Sequence, residues 1–201
     1  MPCKHGLSTI LIALSFAAPL AAQETGAAEM SAETKAMMEA FQKAGTPGEP
    51  HRQLASMAGS YDLTVKSWHT PGAEPMVDTG TATRRMMLGD RVMVEDVSSQ
   101  MMGQAYAGQG LHGYDNVTGK YWSTWADSMS TGLMVSEGSC DAAMSCEYTG
   151  KYHDPVSKQA QTTRMTTRWT DKGTEVFEMY GPGHDGKEAK MMEITYKKRG
   201  P

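Results

Sequence analysis

Beyond its first twenty residues the chain has no apolar run long enough to cross a bilayer as a helix. Cysteine is scarce, at three residues, which excludes a scaffold of several disulfides and a cysteine-rich zinc site. Basic residues are not in excess: 19 Lys and Arg stand against 23 Asp and Glu, a formal charge of −4. A nucleic-acid surface needs clustered cations, so that class of partner is not expected. The one basic cluster, Lys197-Lys198-Arg199, reads as a solvated strand end. Histidines occur singly, with no H-x-H or H-x-x-x-H spacing, and no metal site or cofactor is expected. No G-x-S-x-G elbow or Ser-His-Asp order supports a hydrolase. Heptads, repeats and domain linkers after Gly59 are missing as well.

What is present begins with an export signal. Lys4 and His5 give a short basic start, Gly6 to Leu20 is mostly apolar, and Ala21-Ala22-Gln23 supplies small residues for cleavage. Residues 1–22 read as a signal peptide, which predicts a periplasmic or secreted protein with no membrane contact after cleavage. Residues 23–50 read as a leader with a short helix, and 51–201 as the folded domain. Of the three cysteines, Cys3 leaves with the signal. Cys140 and Cys146 remain, and an even count in an exported chain predicts a disulfide between them.

Ala32 to Ala44 is rich in helix formers, with Met37, Met38 and Phe41 on one face, and Gly45-Thr46-Pro47-Gly48 stops it. His51 to Met57 reads as a second short helical turn. From Ser60 the period becomes two: Tyr61, Leu63 and Val65 alternate with Asp62, Thr64 and Lys66. Strands then follow over Met76–Leu88, Arg91–Met101, Gln104–Asp115, Lys120–Asp127, Gly132–Cys140, Cys146–His153, Ala160–Thr170, Glu175–Gly181 and Lys187–Arg199. Turn residues such as Gly89-Asp90 and Asn116 to Gly119 separate them. About ten strands joined by short loops form an antiparallel meander. A sheet of that length tends to close and so lose its edges. The expected fold is all-β, an up-and-down barrel with one or two N-terminal helices packed over one end.

On these residues the chain resembles the bacterial domain-of-unknown-function family 1579. The matching motifs are P-G-A-E-P-M-V-D-T-G-T-A-T at Pro71 to Thr83, G-L-H-G-Y-D-N at Gly110 to Asn116 and S-T-W-A-D-S-M-S-T-G at Ser123 to Gly132. They continue with V-F-E-M-Y at Val176 to Tyr180, D-G-K-E at Asp185 to Glu188 and M-M-E-I-T-Y-K at Met191 to Lys197. The resemblance runs from about His51 to Arg199 and implies a lipocalin-like barrel. It implies no activity.

Candidate ligand contacts come from polar residues inside apolar strands. Glu178 and Glu193 interrupt the last two strands, which a meander makes neighbours. If their faces point inward they need cations, and Arg84 and Arg85 are the candidates. Tyr180 shares the Glu178 face, and His112 with Tyr114, and Trp125 with Asp127, offer a polar, aromatic floor. The two glutamates can orient a ligand, act as an acid–base pair, or belong to a structural network or a solvated face. Methionine is abundant, at 18 residues, eight of them in four adjacent pairs. Adjacent residues on a strand face opposite ways, so a pair cannot chelate one copper ion, and the side chains read as soft core or cavity lining. Asn116-Val117-Thr118 matches a glycosylation sequon but reads as a turn.

These features predict an exported barrel holding a small, largely apolar molecule. An enzyme using Glu178 and Glu193, or a barrel that binds a partner and no ligand, are the alternatives. Exported protein is expected to begin at Gln23 on N-terminal sequencing. A start at Met1 would refute the signal peptide.

Overall fold

Period-two alternation over ten segments requires ten strands with one face each to bury, and closing the sheet on itself buries all of them together. The computed structural model describes residues 30–200, apart from positions 71, 102, 156, 184 and 185. The expected signal peptide and the leader up to Glu29 lie outside the described residues, as does His184. Two helices come first, α1 (Ala32–Gly45) and α2 (Glu49–Ser56). Ten strands follow: β1 (Gly59–Ser67), β2 (Met76–Met87), β3 (Val92–Met101), β4 (Gln104–Asp115), β5 (Lys120–Asp127), β6 (Met134–Cys140), β7 (Cys146–His153), β8 (Ala160–Trp169), β9 (Thr174–Pro182) and β10 (Glu188–Lys198). Each pairs antiparallel with its sequence neighbour, and β1 pairs with β10 to close the barrel. The expected meander is the observed one, with strand ends displaced by one or two residues where they differ.

The turns explain why the strands end where they do. Asn116 to Gly119 forms the β4–β5 turn, with Gly119 at φ 67°, a conformation that costs glycine no Cβ clash. Asp115 accepts from the Val117 N–H at 2.8 Å and the Thr118 hydroxyl at 2.9 Å, which closes the turn. Asn116 is bound as well: its Nδ2 donates to the carbonyls of Ala44 at 3.0 Å and Thr46 at 2.8 Å.

Alternation sets the two faces. Tyr61, Leu63 and Val65 of β1, Ala82 and Arg84 of β2, and Met93, Glu95 and Val97 of β3 are buried in the interior. So are Met165 of β8, Glu175 of β9 and Tyr196 of β10. The core has two parts. Near α2, Leu54 and Met57 pack with Met93, Tyr121, Met144 and Cys146. Further along the barrel, Tyr61, Leu63, Val65, Ala82, Val97 and Tyr196 form the second cluster, with Trp125, Phe177, Met192 and Ile194 against it. The opposite end is the one where β1 leads to β2, β3 to β4, β5 to β6, β7 to β8 and β9 to β10.

The helices behave differently from each other. Pro50 sits in the first turn of α2, where its missing N–H costs nothing. The buried His51 accepts from the Gly48 N–H through Nδ1 at 3.1 Å and sets its ring edge-on to Tyr114. Thus α2 plugs the barrel as expected. By contrast α1 does not pack over it: none of its residues is buried, and Met37, Met38 and Phe41 are 53%, 53% and 73% exposed. Among the described residues its hydrogen bonds to the barrel lie near its C-terminus, from Asn116 and from the Arg91 guanidinium to the Gly45 carbonyl at 2.9 Å. The tethers bind backbone carbonyls, so they hold the helix end without burying its apolar face.

Cys140 and Cys146 lie directly opposite each other on β6 and β7 and are bonded. Closing so short a loop stabilises by about 2 kcal/mol in the chain-entropy account. Thiol titration of denatured, unreduced protein should find neither sulfur free. Two reactive thiols would show that the bond does not form in the native protein.

Candidate functional site

β2 brings Arg84 into the interior because Ala82 and Arg84 fall on its inward face. The Arg84 Nε donates to Glu95 Oε1 on β3 at 3.0 Å, and its Nη1 donates to Glu175 Oε2 on β9. The three side chains are 5%, 4% and 2% exposed. The guanidinium packs beside two rings set edge to face, 4.9 Å from the Tyr61 centroid and 4.5 Å from that of Tyr196. Burying two carboxylates and a guanidinium is tolerable only because they pair. Burial pushes the Glu95 carboxyl up, but the Arg84 guanidinium and the neighbouring His112 outweigh it and hold Glu95 at about 2. Burial likewise pushes Arg84 down, and the two carboxylates reverse this and raise it well above its usual value.

His112 stands beside this cluster. Its Nε2 is 3.2 Å from Glu95 Oε2, close enough for an ion pair but off the hydrogen-bond direction. Among the described residues it is the buried side-chain polar atom without a hydrogen bond. The rest of the ring is less enclosed, with the side chain 24% exposed although it faces inward. Solvent therefore reaches the floor of the barrel. Trp125 lies above on β5, half-buried, and rests on Gly108 and Gly110 of β4, where a Cβ would run into its ring. Trp125 Nε1 donates to the Tyr106 hydroxyl at 3.0 Å, and that hydroxyl donates to Asp127 Oδ2 at 3.4 Å. Burial, with Asp127 beside it, raises the Tyr106 phenol strongly, so it stays protonated and donates.

Of the residues expected from sequence, His112 and Trp125 line this interior. Tyr114 faces inward at the plugged end, with its ring 4.9 Å from that of Tyr121. Four residues are elsewhere. Glu178 and Glu193 are opposite each other in the β9–β10 register, as expected, but on the outer face. The reason is parity: Glu175 and Phe177 turn inward on β9, and Met192, Ile194 and Tyr196 do so on β10. Their cations are Lys66 and Lys190, not Arg84 or Arg85. Lys66 donates to Glu193 at 3.0 Å, and Lys190 bridges Glu193 at 3.0 Å and Glu178. A bulge between Lys190 and Met192 lets an even and an odd residue of β10 share that face. Hydrogen bonding to Lys190 holds both carboxyls below their usual range against partial burial. Tyr180 belongs to the same outer network through Glu178 at 3.1 Å, and Arg85 is exposed on β2. Trp122 also faces outward, onto Gly113.

Sequence reasoning named Arg84 as a candidate internal cation but missed its partners, Glu95 and Glu175. Glu95 carried the same signal as Glu178, an acid inside the apolar run V-M-V-E-D-V. Glu175 follows a turn and carries no such signal.

Among the described residues no group of three or more His, Cys, Asp or Glu is arranged to hold a metal. No helix among them is long and apolar enough to cross a membrane. Two surface cavities flank the helices. One, about 520 Å³, lies between α1 and the β4–β5 turn and includes Glu39, Lys43, Pro47 and Asn116. The other, about 220 Å³, lies under α2 beside Tyr114, Tyr121 and Cys140.

The family profile described as a protein of unknown function, DUF1579, matches residues 46–198. The chain belongs to that family. A comparison with curated proteins finds no match. The motif G-L-H-G-Y-D-N, on which the resemblance rested, supplies Gly110 under Trp125, His112 on the floor and Gly113 under Trp122.

The two ion networks should respond differently to mutation. Arg84→Met strands two buried carboxylates and should cost about 3–5 kcal/mol in denaturant unfolding. Adding Glu95→Gln and Glu175→Gln should recover much of that. Glu178→Gln or Glu193→Gln, partly solvated, should cost no more than about 1 kcal/mol. Equal losses at both networks would show that the interior cluster is not buried as described. The depressed Glu95 adds a pH signature. Its contribution is complete above pH 4.5, the ordinary carboxyl value, and is lost as pH falls toward about 2. Urea midpoints measured over that window should fall more steeply for the native protein than for Glu95→Gln.

Proposed function

We propose that this is an exported, periplasmic or secreted binding protein that holds a small, largely apolar molecule in the barrel. The observation that carries the reading is His112: an inward-facing side chain, reached by solvent, whose buried Nε2 has no hydrogen bond. Such a group beside an aromatic and aliphatic surface suits a site that fixes the polar end of a ligand. Trp125, Phe177, Met192 and Ile194 supply apolar surface, and each Å² a ligand removes from water is worth about 25 cal/mol. The disulfide supports an oxidising compartment. The enzyme alternative loses its residues, because Glu178 and Glu193 are salt-bridged on the outer face. A second reading, a ligand-free barrel that binds a partner, is favoured by one observation, the uncovered Met37, Met38 and Phe41 of α1.

Titration with the neutral probe N-phenyl-1-naphthylamine separates the two. Binding in the barrel should raise probe emission and quench tryptophan emission, with a Kd in roughly the micromolar range. EDTA or a Cu(I) chelator should leave the signal unchanged. Trp125→Phe should remove most of the quenching. A probe that does not bind would reject the ligand-holding reading.

A further inference from the structure

The chemical class of the ligand follows from the charges that face the interior, given that the barrel holds a ligand at all. Among the described residues the buried charged side chains are Arg84, Glu95 and Glu175, one cation and two anions. Asp127, near the rim, adds a third carboxylate on the path inward, joined to Trp125 through Tyr106. Arg84 is already engaged: Glu95 and Glu175 each accept one of its N–H groups, and its guanidinium packs beside the rings of Tyr61 and Tyr196. Lys198, at the plugged end, donates to the Ser56 carbonyl at 3.1 Å. An anionic head group entering from the rim would meet Asp127 and then Glu95, with the one deep cation already held. A cationic head would meet those carboxylates and the ring of Trp125, a good surface for a cation.

We infer that the barrel selects a cationic amphiphile, a protonated amine or guanidinium on an apolar body, over a fatty-acid-like anion. The head lies toward His112 and Glu95, and the apolar body lies along Trp125, Phe177 and Ile194. Its positive charge offsets the excess negative charge of the interior, which an apolar surrounding makes costly to leave unpaired.

Three probes test this on the mature protein at pH 7, each a dansyl group on an undecyl chain ending in a primary amine, a carboxamide or a carboxylate. The amine should bind at least about tenfold more tightly than the carboxylate, with the carboxamide between. Asp127→Asn, outside the Arg84 cluster, should narrow the amine preference severalfold, and Glu175→Gln should narrow it further if it folds. If the carboxamide binds but the amine has no advantage, the charge selection is wrong and the ligand-holding reading stands. An amine preference that Asp127→Asn leaves intact would place the head group elsewhere and overturn the assignment. If no probe binds, both readings fall.

Discussion

The barrel is organised around one buried guanidinium. Arg84 on β2 joins Glu95 on β3 to Glu175 on β9 and packs beside the rings of Tyr61 of β1 and Tyr196 of β10. Those five strands include the seam where the first and last close on each other. Hydrogen bonds along that seam are present at any register that pairs β1 with β10. The Arg84 cluster is satisfied at one register only, because a shift of one residue would turn Glu175 or Tyr196 outward. A buried ion pair of this kind adds little net stability over a well-packed apolar substitute. Its contribution here is to specify which closure forms.

The same cluster divides the interior. Toward α2 the space is filled by Leu54, Met57, Met93, Tyr121 and Met144, an apolar plug. On the other side lie His112, Trp125 and Tyr106, half-buried, with Trp125 and Tyr106 joined by hydrogen bonds that extend to Asp127. Glycines at 108 and 110 of β4 make room for the Trp125 ring of the neighbouring β5. The result is a barrel sealed at one end and lined by adaptable side chains at the other. The outer face carries a separate network of Lys66, Glu178, Lys190 and Glu193, which braces β1, β9 and β10 from outside. Glutamates of similar local sequence thus have opposite roles on the two sides of one sheet.

The sequence by itself determined the strand count, the turns and the meander, because a period of two and turn residues such as Asn116 and Gly119 act over a few residues. It also placed the disulfide, whose partners are six apart across one hairpin, and the neighbour relation of Glu178 and Glu193. It did not determine which face of each strand turns inward. That choice is a parity, and in V-F-E-M-Y both faces are partly apolar, so composition does not break the tie. The closed barrel breaks it through long-range partners. Glu175 meets Arg84 across 91 residues, and the bulge in β10 reverses the parity of Lys190 relative to Glu193. Tertiary structure therefore decided the interior site, while the chain's local chemistry decided the frame that holds it.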